Sequence, residues 1–357
     1  MGDIRPLTSL RGIAAAMVAW GHFHLEFPAP HRITLFVDLF FILSGFVIML
    51  AYKDRMKSPI DYVRFLGLRL GRIYPVHLVT LAAAVLAIGY VNAMRGRDLF
   101  YWRDTLDSLW RNLTLTQAWP GVENYSWNMP AWSISVEWAA YLAFPLFLFL
   151  SRRLGAAFIL LVIAGYAGFW HLRDGASSFG TGWQWGLHRC LLGFALGVWL
   201  YSVRPQAGRV AGFLYGDGVV FASMVAVAAV WLVPLPDWYV IAPMALLILS
   251  LSGNKGVAAR VMGLPVLHGL GLISYSLYMV HYPVYKLWQQ YHRMAFPDGM
   301  SDMQMLAMGG LCAVLVLIAS TVCWYLVEEP CRKASKVMLR PRDKAAGSVD
   351  LPVKNAA

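Results

Sequence analysis

The stretch ITLFVDLFFILSGFVIMLA, residues 33–51, decides the fold class because it holds one charged side chain in nineteen consecutive residues. An α-helix of about 20 predominantly apolar residues is long enough to cross the roughly 30 Å hydrocarbon core of a bilayer. Comparable apolar stretches recur from residue 10 to about residue 327, with no polar segment of domain size between them. This pattern predicts an all-α bundle of transmembrane helices.

The composition of the whole chain agrees with a location in the membrane. Of its 357 residues, 59% are hydrophobic and 14% are charged, whereas soluble domains carry about 25% charged residues. We predict one transmembrane domain, residues 1–330, followed by a basic cytoplasmic tail, residues 331–357, that is disordered. About ten transmembrane helices are predicted, at residues 10–28, 33–51, 73–91, 131–150, 154–171, 187–201, 212–233, 238–252, 265–290 and 304–327.

The net charge of +11 follows from this topology. Lysine and arginine are concentrated in the tail and in the loops that are cytoplasmic if the N-terminus is inside, as the positive-inside rule describes. An even number of crossings returns the C-terminus to the cytoplasm as well. We therefore expect the lipid bilayer, and no nucleic acid, as a partner. The four cysteines have no spacing typical of a disulfide framework, and we expect no metal site.

Ionisable side chains inside membrane helices are costly, so each is a candidate functional residue. On the first helix, Arg11 and His22 are eleven residues apart, which places them on nearly the same face and about 16 Å apart along the axis. Taken alone, the pair is equally well explained by an arginine that reaches the lipid headgroups and a histidine that bonds a neighbouring helix.

The second predicted helix carries an acidic residue, Asp38, near its outer end. Its position predicts pairing with His22 or His24 of the first helix, and a carboxylate in this place would orient the imidazole and increase its basicity. Ser44 and Gly45 on the same helix are typical of helix packing in membranes.

A pair of arginines, Arg69 and Arg72, stands three residues apart at the end of a predicted cytoplasmic loop, residues 52–72. Two guanidinium groups on one face make a fork suited to phosphate groups. The positive-inside rule by itself also predicts basic residues at this place.

Two further predicted helices carry polar groups. WNMPAWSISVEWAAY, residues 127–141, contains Glu137 with Ser133 one turn before it. An intramembrane glutamate could orient a donor, act as an acid or base, or complete a hydrogen-bond network. Later in the chain, Tyr278 and His281 are three residues apart and share a helix face.

Taken together, these segments resemble the acyltransferase family 3 membrane proteins, bacterial enzymes that acylate saccharides and related acceptors. The resemblance extends over residues 7–330 and depends on the order and spacing of several short motifs. They are Arg11 and His22, FFILSG at 40–45, Arg69 and Arg72, SVEW around Glu137, SYSLYMVHYPV at 274–284, and EEP at 328–330.

The resemblance implies a cytoplasmic acyl-CoA donor, an acetyl group as the cargo, and a saccharide or glycolipid acceptor reached from the outer side. It also implies that His22 matches an essential histidine, that Arg11 is its polar partner on the first helix, and that Arg69 and Arg72 hold the phosphates of coenzyme A. We expect the form without an esterase-like extension, in the bacterial inner membrane.

Two mechanisms remain open at this stage. His22 could act as the general base on the acceptor hydroxyl, with Asp38 or Glu137 stabilising the imidazolium, or it could carry the acyl group itself. Ser133 or Tyr278 could donate hydrogen bonds to the oxyanion, and His281 is a further candidate for substrate binding. The competing class is a proton-coupled transporter or flippase, although no matching pair of broken helices favours it. A structural subunit would leave the buried charges unexplained.

Overall fold

The computed structural model describes residues 4–23, 33–122, 126–179, 182–233, 235–297 and 299–340. Within these ranges the chain is all α-helical and contains no β-strand. The helices are α1 Arg5–His22, α2 Phe36–Tyr52, α3 Pro59–Met94, α4 Leu106–Leu113, α5 Trp132–Leu154, α6 Phe158–Leu172, α7 Gly182–Val203, α8 Gly208–Leu214, α9 Asp217–Leu232, α10 Ile241–Gly253, α11 Val257–Met262, α12 Pro265–Leu272, α13 Ser274–Ala295, α14 Asp302–Cys323 and α15 Glu329–Met338.

Several helices have the length and composition of membrane spans. In the described part of the chain, four helical stretches meet both conditions: Pro59–Met94, Met129–Leu172, Gln184–Val203 and Asp302–Met338. The bent pair Gly208–Leu214 and Asp217–Val230 makes a fifth if it crosses as one span. Phe36–Tyr52 and Asp237–Gly253 are shorter apolar helices. The chain is therefore a multi-pass, all-helical membrane protein.

Helices α2 and α7 form the centre of the bundle through glycine contacts. A β-carbon at Gly45 would lie 2.0 Å from the carbonyl oxygen of Phe194, and one at Gly197 would lie 2.0 Å from the carbonyl oxygen of Ile42. Small residues let two helix backbones approach closely in a membrane, where packing drives helix association. Gly45 is thus a packing residue, as predicted.

Replacing Gly197 with alanine is expected to lower the free energy of unfolding by about 3 kcal/mol, because the new methyl group meets backbone rather than a movable side chain. The matched control is Gly168→Ala on α6, where a β-carbon would meet nothing within 4 Å. Thermal unfolding in detergent measures both. Equal unfolding temperatures for the two variants would contradict the close approach of α2 and α7.

Helix α3 is longer than predicted. The sequence placed residues 52–72 in a loop, whereas the structure begins the helix at Pro59 and continues it to Met94. The Ser58 side chain accepts a hydrogen bond from the backbone N–H of Asp61, and proline at the first helical position needs no hydrogen-bond partner for its nitrogen. Arg69 and Arg72 consequently lie within a rigid helix and not at the end of a loop.

The first residues of the predicted tail, which starts at residue 331, are helical. The apolar helix α14 continues through a π-helical turn, Trp324–Glu328, into α15, which extends to Met338. Helix α15 packs on α3, where β-carbons at Gly67 and Gly71 would meet the side chains of Leu339 and Ser335. The part of the predicted tail from residue 341 onward lies outside the described residues.

Candidate active site

A cavity of about 490 Å³ lies inside the bundle between α1, α2, α3, α5, α13 and α15. Along α2 its wall runs from Val37 to Ala51, a distance of about 21 Å at the rise of an α-helix. Six of the nine predicted site residues line it: Arg11, Arg69, Arg72, Ser133, Glu137 and Tyr278. We call it the central cavity.

Three arginines, Arg69, Arg72 and Arg332, line the part of the central cavity formed by α3 and α15, which we call its arginine end. The Arg69 guanidinium donates to the Tyr52 hydroxyl at 3.0 Å, and its buried Nε has no partner among the described residues. Arg72 makes no hydrogen bond or ion pair with any described residue. Guanidinium groups with unused N–H donors favour an anion, because phosphate oxygens match the geometry of these donors.

Arg11 lies farther along the cavity on α1. Its Nε donates to the Ser274 hydroxyl at 2.8 Å and its Nη2 donates to the Gly271 carbonyl at 3.1 Å. Helices α1 and α12 are close enough for these contacts because glycines meet there, and a β-carbon at Gly12 would lie 2.5 Å from the Gly271 nitrogen. Arg11 therefore keeps a fixed position on the cavity wall, bonded to the end of α12 and the start of α13.

Glu137 is the one carboxylate on the described wall of the central cavity. Its Oε1 accepts hydrogen bonds from the Ser44 hydroxyl at 2.7 Å and from the Tyr141 hydroxyl at 2.6 Å. Ser44 thus has a polar role in addition to the packing role that its motif predicts. With four arginines and one glutamate on its described wall, the cavity has a positive charge balance that favours anionic ligands.

Ser133 and Tyr278 form a hydroxyl pair on the wall. The Ser133 hydroxyl donates to the Tyr278 hydroxyl at 2.9 Å, and both hydroxyls lie 3.1 Å from the Pro130 carbonyl. The Tyr278 ring packs edge-on against Phe40, with the ring centroids 5.8 Å apart. Tyr278 is the residue of α13 on the cavity wall that lies nearest in sequence to His281.

His22 and His281 lie side by side beyond Tyr278, with their ring centroids 5.0 Å apart. The described cavity wall does not include them, since His281 is one helical turn farther along α13 than Tyr278. The Nδ1 atom of His22 is 2.9 Å from the Val18 carbonyl oxygen. A carbonyl can only accept, so Nδ1 carries the proton and the lone pair of the neutral ring is on Nε2.

His281 is fully buried, and neither of its ring nitrogens has a hydrogen-bond partner among the described residues. A buried polar group without a partner costs about 1–3 kcal/mol. Such a group needs an explanation, and a catalytic or binding role is one of them. Its neighbour on the other side is Tyr278, with ring centroids 6.0 Å apart. The three rings therefore connect the cavity wall to His22.

Asp38 has a different partner from the one predicted. Both of its carboxylate oxygens accept from Arg189 on α7, at 3.0 Å from Nε and 2.6 Å from Nη2. The two side chains are only 2–3% exposed. The prediction that Asp38 pairs with His22 is wrong, because a bidentate arginine occupies both oxygens; His24, the alternative, lies outside the described residues. The ion pair joins α2 to α7.

Three important residues were missed from the sequence. Arg189 lies inside the predicted span 187–201, and its charge at that place was enough to mark it as a candidate functional residue. Arg332 was counted with the basic tail, and only the fold of α15 brings it to the cavity. Tyr141 is four residues after Glu137, a spacing at which helical side chains meet.

Long apolar helices around a polar, arginine-rich cavity define this chain as a membrane protein with an interior binding site. The chain belongs to acyltransferase family 3, whose model, described as an acyltransferase domain, matches residues 6–327. It is accordingly an acyl-transferring enzyme of the membrane.

Several known proteins are similar to the chain over most of its length. Acyltransferase MdmB from Streptomyces mycarofaciens is 29% identical, with 92% of this chain and 91% of the relative covered. The putative membrane-bound transacylase BcsY from Komagataeibacter xylinus is 30% identical, with 78% and 72% covered. The exopolysaccharide production protein ExoZ from Rhizobium meliloti is 28% identical, with 72% and 80% covered. No solved structure matches the chain.

Proposed function

We propose that this enzyme transfers an acetyl group from acetyl-CoA to a hydroxyl of a carbohydrate or glycolipid. The observation that carries the proposal is the central cavity, which extends about 21 Å along α2 and is lined by four arginines and one glutamate in the described residues. Its volume lies in the range of ligand sites, about 300–1,000 Å³. The carbohydrate class comes from the family and from ExoZ, a relative named for exopolysaccharide production.

The donor enters at the arginine end of the cavity. Arg69 and Arg72 bind its phosphates, because the Nε of Arg69 and the whole guanidinium of Arg72 have no hydrogen-bond partner among the described residues. The cavity extends about 21 Å along α2, and the pantetheine arm then lies along it, past Arg11. Glu137 accepts hydrogen bonds from the amide N–H groups of this arm and orients it.

The reaction takes place between Tyr278 and His22. Movement of the Tyr278 ring admits the thioester to His22, and Nε2 removes the proton from the acceptor hydroxyl while its oxygen attacks the thioester carbonyl. The tetrahedral intermediate collapses by breaking the carbon–sulfur bond, and the imidazolium returns the proton to the departing thiolate. The same movement breaks the hydrogen bonds of the Ser133 and Tyr278 hydroxyls to each other and to the Pro130 carbonyl, and the two hydroxyls then donate to the oxyanion. His281 binds the acceptor hydroxyl.

The acyl-histidine route uses the same residues in another order. Nε2 of His22 attacks the thioester first, and the carbon–sulfur bond breaks to release coenzyme A as its thiolate. The acceptor hydroxyl then attacks the acetyl-imidazolium, the carbon–nitrogen bond breaks to restore neutral His22, and the hydroxyl proton passes to the thiolate. The tautomer of His22 suits both routes, because each needs the lone pair on Nε2. Asp38 is assigned a structural role in both, since Arg189 occupies its two oxygens.

The proposed topology has about ten crossings, both termini in the cytoplasm and the bacterial inner membrane as the location. It requires shorter helices such as Phe36–Tyr52 and Asp237–Gly253 to cross the membrane together with the four long ones. The positive-inside distribution of lysine and arginine supports this orientation. The arginine end of the cavity then opens toward cytoplasmic acetyl-CoA.

The test is a transfer assay with purified protein and radiolabelled acetyl-CoA, with and without a saccharide extract of the cell envelope. We expect label in the saccharide only when both protein and extract are present. Folded protein that neither binds acetyl-CoA nor transfers the label would contradict the proposal.

The double variant Arg69→Ala/Arg72→Ala is expected to weaken acetyl-CoA binding by about 100-fold or more, because two charge-assisted hydrogen-bonding groups are lost. Equilibrium binding to the purified protein measures this. The control is Arg64→Ala on the same helix, which removes a charge that is paired with Asp61 at 3.8 Å and does not line the central cavity. Wild-type affinity in the double variant would contradict the assignment of the donor phosphates to this end of the cavity.

A further inference from the structure

We propose that helix α15 completes the phosphate site of the acyl donor by supplying a third guanidinium, Arg332. This inference deepens the proposed function and rests on acetyl-CoA being the donor. It gives a ligand-binding role to a segment that follows the last apolar helix, α14, and that the sequence alone assigns to a basic tail. Arg332 lies on the same described cavity wall as Arg69 and Arg72.

Two glycines of α3 let α15 pack closely against that helix. Gly67 and Gly71 have the four-residue spacing of a small-residue packing motif. A β-carbon at Gly71 would lie 2.4 Å from the Ser335 β-carbon, and one at Gly67 would lie 2.7 Å from a Leu339 methyl group. Arg69 is two residues from each glycine and projects from the opposite side of α3. Arg72 directly follows Gly71 and lines the cavity, so α15 packs on α3 next to a cavity arginine.

The start of α15 is held from a second side. The buried carboxylate of Glu328, at the end of the π-helical turn, accepts a hydrogen bond at 2.7 Å from the Ser276 hydroxyl of α13. Helix α13 also carries Ser274 and Tyr278 on the cavity wall. Arg332, four residues after Glu328, is thus positioned by contacts to two cavity helices.

The Arg332 guanidinium has donors available for a ligand. Its Nε donates at 2.8 Å to Oε2 of Glu329, and its Nη2 contacts the same oxygen. No described residue accepts from Nη1. Glu329 orients the group without balancing the charge of this end, because its other oxygen lies 3.4 Å from the Lys333 amine.

The charges at this end match the donor. Lys336 interacts electrostatically with Arg332, Arg69 and Arg72, which brings four cations together. Coenzyme A carries a pyrophosphate and a 3′-phosphate, about four negative charges at neutral pH. Arg69 and Arg72 carry half of the opposite charge; Arg332 on the cavity wall and Lys336, which is near it but off the described wall, bring the total to four.

Equilibrium binding of acetyl-CoA and of its 3′-dephospho analogue to the full-length protein tests the inference. Arg332→Ala is expected to weaken acetyl-CoA binding about tenfold, the loss of one charge-assisted contact. Arg332→Lys should recover part of the affinity, since it keeps the charge. Lys333→Ala is the matched control, because it removes an equal charge and another partner of Glu329 from a side chain that is 73% exposed and off the cavity wall.

The two ligands locate the contact. A loss with acetyl-CoA alone would place Arg332 on the 3′-phosphate, and an equal loss with both ligands would place it on the pyrophosphate; either result supports the inference. Wild-type affinity in Arg332→Ala, or an equal loss in Lys333→Ala, would overturn it. If the wild-type protein itself binds no acetyl-CoA, the proposed donor fails, and that outcome is distinguishable from failure of the inference alone.

Discussion

Replacing His22 with alanine is expected to lower acetyl transfer by a factor of about 10²–10⁴, the contribution of a positioned general base, or to abolish it if the acyl group passes through the histidine. The physical reason is the position of Nε2, whose lone pair is set by the hydrogen bond from Nδ1 to the Val18 carbonyl. Binding of acetyl-CoA should stay close to wild type, because the phosphates are held at the other end of the cavity. The measurement is the transfer rate at saturating donor.

The control for this variant is His188→Ala. His188 is a histidine of α7 that stacks on Phe169 with ring centroids 5.7 Å apart and does not line the central cavity. Its replacement should leave the transfer rate unchanged. A His22→Ala variant that transfers acetyl at the wild-type rate would contradict both mechanisms. Acetyl label that becomes covalently attached to the wild-type protein in the absence of acceptor, and not to His22→Ala, would select the acyl-histidine route.

Replacing Arg189 with methionine is expected to lower the free energy of unfolding by about 3–5 kcal/mol, because the Asp38 carboxylate is then left buried without its counterion. Thermal or denaturant unfolding in detergent measures the loss. The double variant Asp38→Leu/Arg189→Met should recover most of it, since neither charge remains buried. These opposite effects identify an ion pair that is costly to break and much less costly to remove as a whole.

An exposed ion pair between the same residue types provides the control. On α4 the Nε of Arg111 donates to one oxygen of Asp107 at 2.7 Å, and the two side chains are 36% and 71% exposed. Water and salt screen such pairs, so Arg111→Met should cost about 1 kcal/mol or less. A loss in Arg189→Met no larger than this would show that Asp38 is not held in the buried environment that the structure gives it.

The sequence by itself determined the class of this protein. The apolar character of its helices is a local property of the chain, and it predicted an all-helical, multi-pass membrane protein. The order of the short motifs also identified the acyltransferase family, which the match over residues 6–327 confirmed. Intramembrane charge drew attention to Arg11 and Glu137 for a reason that does not depend on the fold, since ionisable groups are expensive in lipid wherever they occur.

Only the tertiary structure decided which polar groups share a site. Asp38 was predicted beside His22 because the first two helices are neighbours in sequence, yet its partner is Arg189, 151 residues away. Arg332 reaches the cavity because glycines on α3 allow α15 to pack there. Both outcomes depend on how closely helix backbones approach, and that distance is set by small residues on two helices at once. The sequence of one helix shows its own small residues but not which residues of the partner helix they meet.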